Sequence, residues 1–394
     1  MKRGAQILAA FLALLVVVAC GGGGVGSGGT GITVGGGVGS GGTGISVGPI
    51  KGFGSIIVNG VRYDIDTATQ EVDDVVALGL GMVVEVTGST NADFSTGTAT
   101  RVRSAADLRG PAGSVDTVAG TLQVQGTLVG TDTATVYAGT VDLTGISNGD
   151  PVMVHGLPDS AGQLRATRIE RLAAAGAPIV TGVVAGLNGG LSRFNLGTLT
   201  VDYTTASFVG GLSAGQLSNG MRVRVRAAAA PVAGVLTATS VQAWYAVGGT
   251  EGSASTVSGV VTDFSNLGSF RLLGQLVDAS QAQITGGLPA AIGNGVLVEV
   301  DGTVSQGILV ATQLKIRHVP GTGGPASFSL SGPIGAYVSS SSFRVKGQPV
   351  DASGGGVVFS GGTIGQLGNG VMVQVVGSEV VNGVLIADSV TFLP

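Results

Sequence analysis

Arg222, Arg224 and Arg226 stand two residues apart in one alternating segment, so in a strand their side chains share a face and form a row of cations. At strand spacing the row is about 13 to 14 Å long, and each guanidinium offers a planar fork to a phosphate or carboxylate. That makes the three arginines the candidate anion-binding site, for an anionic glycan, lipid or oligonucleotide; a solvated outward face is the plainer alternative. Arg101 with Arg103, and Lys315 with Arg317, repeat the pattern. No aromatic residues interleave the row, which weakens any case for nucleic-acid stacking. His155, His318 and Cys20 are the only histidines and cysteine and cannot build a conventional zinc site. His155 falls on the outward face of its strand and reads, like His318, as a surface residue. No serine sits in a nucleophile-elbow motif, so no catalytic residue is nominated. Asp64, Asp66, Glu71, Asp73 and Asp74 form the densest acidic patch. They lack the turn glycine and terminal bidentate glutamate of a calcium loop and read as a solvated turn. Asp64, Asp202, Asp278 and Asp351 recur at strand ends, where aspartate accepts N–H bonds of the following turn. No metal or other cofactor is expected.

The elements that must position these residues come from a repeat. One phrase recurs five times, beginning at Gly81, Gly149, Gly220, Gly295 and Gly370, with spacings of 68, 71, 75 and 75 residues. Counting from the glycine, the third and fifth positions are always valine, from Val84 and Val86 to Val373 and Val375. Positions two, four and six vary through Glu85, Met153, Arg224, Glu299 and Gln374. A period of two with one constant apolar face predicts a half-buried strand whose other face meets solvent. Asn precedes the glycine in four copies and suits a left-handed turn, so valine at the glycine should misfold its module. Ala-Thr-x-Val phrases such as Ala99 to Val102 follow and read as an antiparallel return strand, while Asn59-Gly60 and Asn382-Gly383 are two-residue hairpin turns. Ala214 to Ser218 fits one helical turn.

Of 394 residues, 44% are hydrophobic, 11% charged and only 4% aromatic. Such a chain must bury apolar surface in thin valine-rich layers, which points to an all-β protein. Five modules are expected at 49–104, 111–172, 178–243, 256–317 and 328–394, joined by Gly- and Pro-rich segments that permit bending. Modules of this size hide their strand edges best by closing into small barrels. A single large outer-membrane barrel would need aromatic girdles that one Trp and five Tyr cannot supply.

Residues 1–19 read as a signal peptide: Lys2 and Arg3, an apolar run from Ile7 to Val18, then Ala19. The run is too short to span a bilayer. The small residues before Cys20 and the glycines after it resemble the processing site of bacterial lipoproteins. The resemblance implies lipidation of Cys20, hence a membrane anchor, and with Gly21 next in line it implies the outer membrane of a Gram-negative bacterium, facing periplasm or cell surface. Residues 20–48 follow as lipidated cysteine and flexible stalk; 16 of the 28 residues from Gly21 to Gly48 are glycine. Removing Lys2 and Arg3 leaves 17 basic against 23 acidic residues, so broad nucleic-acid binding is not expected.

The opening strand, the Val-Asp strand ends at Val201-Asp202, Val277-Asp278 and Val350-Asp351, the Gly-x-Val-x-Val phrase and Ala-Thr-x-Val together resemble the bacterial repeat family called domain of unknown function 5666. The resemblance covers nearly all of residues 49–394. It implies small OB-like barrels, found in tandem behind lipoprotein signals, with no catalytic residues to carry over. In the second copy Val141-Asp142 is out of register, and Ala227 replaces the closing glycine of the third. The functional expectation is a noncatalytic cell-envelope lipoprotein acting as scaffold or interaction protein, with a membrane and an envelope protein or polysaccharide as partners. The alternative is an anionic-ligand module using the arginine row.

Overall fold

The computed structural model describes residues 43–91, 94–159, 162–244, 251–318 and 327–394. Cys20, the signal peptide and the stalk up to residue 42 lie outside the described residues. Each of the five repeats folds as a closed barrel. In module 3, Ile179–Asn188 pairs with Arg193–Leu196, which pairs with Leu199–Asp202. Leu199–Asp202 runs parallel to Val235–Ala243, which pairs with the phrase strand Arg222–Ala227, and that strand returns to Ile179–Asn188. The circuit thus has five strands, the number of an OB-like barrel. The short Ser207–Val209 adds to Val235–Ala243. The same circuit closes in module 4.

The local signals hold. All ten phrase valines are buried, from Val84 and Val86 to Val373 and Val375. Asn59 and Asn382 have φ of 54° and 48°, with Gly60 and Gly383 at 79° and 77°, as the tight hairpins require. A single turn of 3-10 helix spans Ala214–Gln216, with counterparts at Leu143–Gly145, Pro289–Ala291 and Ile364–Gln366. Among the described residues no helix is long and apolar enough to cross a membrane.

The phrase glycines all sit in the left-handed region, at φ of 78°, 94°, 89°, 88° and 85°. Their surroundings differ. A Cβ on Gly81 would lie 2.5 Å from the Thr167 carbonyl oxygen and 2.8 Å from Val136 Cγ2, both in module 2, whereas one on Gly220 would meet nothing within 4 Å. Gly220→Ala should therefore cost only the left-handed backbone penalty, about 1 to 2 kcal/mol. Gly81→Ala should cost clearly more, because it also pushes modules 1 and 2 apart. Urea unfolding of the two variants checks the order.

Two expectations are corrected. Strand Thr43–Phe53 begins inside the segment read as stalk. Ile45 to Val47 pair in parallel with Ser255 to Val257 of module 4, so tertiary partners order a stretch whose glycines alone suggest a spacer. Nor do the Gly- and Pro-rich joints leave the modules free to bend, because whole barrels pack on one another. Strands of modules 1, 4 and 5 join one 20-stranded sheet and those of modules 2 and 3 a 12-stranded one. One apolar core runs from Ile50, Val58 and Val86 of module 1 into Leu330, Phe343 and Val375 of module 5. A second joins Leu122 and Val154 of module 2 to Phe194 and Val225 of module 3, and the core of module 4 takes in Val47, Val83 and Leu157 from modules 1 and 2. The hairpin amide of Gly383 donates to the Tyr137 carbonyl at 2.7 Å, tying module 5 to module 2.

Candidate functional site: charged junctions between modules

Packing of whole barrels against one another buries strand faces that alternation alone assigns to solvent. Met153, His155, Arg224 and Glu299, at positions four and six of their phrases, are each no more than 2% exposed. The arginine row is therefore not an open cation face. Arg224 Nη2 lies 2.5 Å from Asp74 Oδ2, and both side chains are 2% exposed. Arg226 reaches Asp74 Oδ1 at 2.9 Å and Arg109 reaches it at 3.6 Å. Arg222 lines a separate groove beside Met221 and Trp244. The correction has a plain cause. Asp74, in the loop after Thr69–Val72 of module 1, needs a counterion once buried, and module 3 supplies it.

Around this pair the backbone of the linker between modules 1 and 2 is held from several sides. Ala106 N–H donates to Asp74 Oδ2 at 3.1 Å while its carbonyl accepts from Arg224 Nε at 2.7 Å. Asp107 is wholly buried and accepts from Trp244 Nε1 and from the Gly156 amide, each at 2.9 Å. The Trp244 ring lies 5.0 Å from the Arg224 guanidinium and 5.2 Å from that of Arg103. Burial alone would raise the Asp74 carboxyl, but Arg224 and Arg226 outweigh it and hold it below the usual carboxylate range. Burial brings the Arg224 guanidinium down to about 10 against the pull of Asp74, still charged at neutral pH. His155, read from the sequence as a surface residue, is buried, and desolvation with the Arg168 guanidinium pushes it down to about 3. It stays neutral in the folded protein near pH 7. His318 ends the strand Ile308–His318.

A second junction joins modules 1 and 4. Glu299, 2% exposed, takes Lys51 Nζ at 2.7 Å and the Arg317 guanidinium. Burial would raise its pKa, yet the two cations hold it below the ordinary value. Nearby, Ser46 and Thr256 share a hydroxyl–hydroxyl hydrogen bond, and Asn59 Nδ2 donates to the Val47 carbonyl at 2.8 Å. Asp301 is half-buried, and its Oδ1 finds no hydrogen-bond donor among the described residues. Burial first, and then the Glu299 charge, raise its carboxyl to about 7.

That shift has a sign. The folded protein holds the Asp301 proton that the unfolded chain gives up near 3.8, so its contribution is greatest at low pH and is lost as pH rises to about 7. Asp301→Asn should flatten this part of the stability profile and leave the variant more stable than the parent at pH 8. Urea midpoints measured from pH 4 to 8 test it, and an unchanged slope would count against it.

The acidic patch disperses into separate duties. Asp64 Oδ1 accepts from the Asp66 amide at 2.9 Å, Glu71 faces Arg101 at 3.7 Å, and Asp73 and Asp74 face Arg226. Among the described residues no group of three His, Cys, Asp or Glu could hold a metal ion. The strand-end aspartates do accept turn amides: Asp202 from Thr204 at 3.0 Å, Asp278 from Ser280 at 2.9 Å, Asp351 from Ser353 at 2.8 Å. In module 2, where Val141-Asp142 is out of register, Asp132 takes this part, accepting from Ala134 at 2.8 Å. Sequence reasoning missed Lys51, Asp107, Glu299, Asp301 and Trp244. Trp244, the one tryptophan of the chain, was the available signal.

Among the described residues, recesses open between modules. One of about 200 Å³ is lined by Lys51, Asp132, Arg165, Arg317 and Phe328 among others. A shallow one of about 800 Å³ lies along Asp159, Arg222, Trp244, Asp263 and Arg271, and a third of about 360 Å³ along Glu85, Arg101, Arg103, Gln242 and Trp244. Asp74 with Arg224, and Glu299 with Lys51 and Arg317, are engaged with one another at the junctions. Their chemistry is that of counterions fixing barrel against barrel.

The family model of domain of unknown function DUF5666 matches residues 46–103, 109–170, 181–242, 258–315 and 331–391. Each match covers one closed barrel. Comparison with curated proteins gives no match. With five tandem matches over most of its length, the chain belongs to the DUF5666 family.

Proposed function

We propose that the protein is a noncatalytic scaffold of the Gram-negative cell envelope, anchored in the outer membrane by lipid on Cys20 and presenting its barrels to an envelope protein or polysaccharide. The observation that carries this reading is where the buried charges go. Asp74 with Arg224, and Glu299 with Lys51 and Arg317, bind module to module, so the costliest groups in the body serve to fix its shape. A body so braced suits presentation of a surface. The leader ending at Ala19, with Cys20 after it and the glycines that follow, supplies the anchor and the spacer in this reading. Several acyl chains on one cysteine hold a protein firmly, each buried methylene contributing about 0.8 kcal/mol.

Cys20→Ser should move the body from the detergent phase to the aqueous phase, or leave an unprocessed precursor. Detergent partitioning of cell extracts reads the outcome. Membrane attachment unchanged in the variant would sink the anchor. Pull-down from envelope extracts with no stable protein or polysaccharide retained would sink the scaffold.

A further inference from the structure

We infer that the groove of about 360 Å³ between modules 1 and 3 is a binding site for a carboxylate-bearing sugar, with Arg103 as the residue that takes the carboxylate. This deepens the proposed function by naming a polysaccharide chemistry, and its test does not involve the anchor.

The arginine comes first. On the return strand Thr96–Ser104, Arg103 stands in register with Glu85 on one side and Glu71 on the other. Neither carboxylate pairs with it. Both turn to Arg101, at 3.3 Å for Glu85 and 3.7 Å for Glu71. Among the described residues no carboxylate lies within ion-pair distance of Arg103, whose contact is the Trp244 ring at 5.2 Å. A half-buried guanidinium with its donors unclaimed by acid, fixed over an aromatic ring, is a fork waiting for a planar carboxylate.

The rest of the groove decides which anion. Part-buried Ala243 and Trp244 give the groove its apolar side, while Glu85 and Gln242 supply acceptors for the hydroxyls of a sugar. A dianionic phosphate would meet Glu85 in this groove with one unpaired cation to balance it. A uronate carries one charge, matching that cation, and its hydroxyls donate to the Glu85 carboxylate and the Gln242 amide oxygen, which a phosphate dianion has no donors to satisfy. The chain is acidic overall, with 19 basic against 23 acidic residues, so a long polyanion is disfavoured beyond the unit seated in the groove.

The molecule carries its own reporter, since Trp244 is its single tryptophan. Galacturonate titrated into the full chain should change the Trp244 emission saturably, with a matching heat in calorimetry. Arg103→Gln should weaken binding about tenfold or more, as expected for loss of a charge-assisted pair. Arg103→Lys, which keeps the charge and loses the fork, should fall between, and Arg344→Gln on the exposed surface of module 5 should bind as the parent does. Neutral galactose and inorganic phosphate should not saturate. Absence of both emission change and heat, equal affinity in Arg103→Gln, or saturation by galactose or phosphate comparable to galacturonate would each overturn the assignment. Circular dichroism of the two Arg103 variants separates lost binding from lost fold.

Discussion

Asp74→Ala destabilises the protein by about 3 to 5 kcal/mol, the expected cost of leaving a buried charge without its partner. Asp74 and Arg224 are both 2% exposed, and Arg226 and Arg109 also converge on the same carboxylate. Removing the acid leaves three guanidiniums facing one another, with Arg224 itself only 2% exposed. The interaction spans modules 1 and 3, so the loss is one of assembly as well as of local fit. The pair variant Asp74→Leu with Arg224→Met should recover much of the loss, because two buried charges replaced by apolar side chains of similar size are often neutral or better. Urea unfolding followed by Trp244 emission measures both, since the indole sits 5.0 Å from the Arg224 guanidinium. Equal stability of Asp74→Ala and the parent would mean that the carboxylate is not the counterion. A pair variant no better than the single one would place the loss in packing instead.

Glu299→Gln removes one negative charge from between two cations and should cost about 3 kcal/mol, at the lower edge for a broken buried pair because the amide keeps the shape. Lys51 and Arg317 then repel across the boundary of modules 1 and 4. The effect should be visible at the nearest shared backbone, where Ile45 to Val47 pair with Ser255 to Val257. Amide exchange there should accelerate well beyond that within the barrel of module 3. A second readout follows from electrostatics. With the Glu299 charge gone, one of the causes that raise Asp301 to about 7 disappears, so its titration should move toward lower pH. If exchange at this seam matched the parent and Asp301 titrated unchanged, the triad would have no part in docking module 4.

What could be read from the residues alone is what local backbone physics fixes. The phrase valines, the left-handed glycines, the two Asn-Gly turns and the strand-end aspartates depend on neighbours a few positions away, and their patterns are complete within one repeat. Placement of Arg224, His155 and Glu299 is different. Alternation puts them outside their own barrels, which is where they are; it says nothing about the neighbouring barrel that covers them. The counterions of Arg224 and Glu299, Asp74 and Lys51, come from 150 and 248 residues away. One trace was present. Positions four and six are both charged only in modules 3 and 4, as Arg224 with Arg226 and Glu299 with Asp301, while the other copies mix or lack charge. A departure confined to particular copies of a repeat marks duties that the repeat itself does not require. Strand Thr43–Phe53 was obscured for the opposite reason: its glycines suit a spacer, and only parallel pairing with distant strands orders it.

The contact between the first and last repeats bears on biogenesis. Ile50, Val58 and Val86 of the opening barrel belong to one buried cluster with Leu330, Phe343 and Val375 of the final one. The opening barrel closes on its own interior during synthesis, but it meets that neighbour only after the intervening repeats have left the ribosome. A translation product that stops before Phe328 therefore keeps its folded barrels and exposes the surface on which module 5 docks.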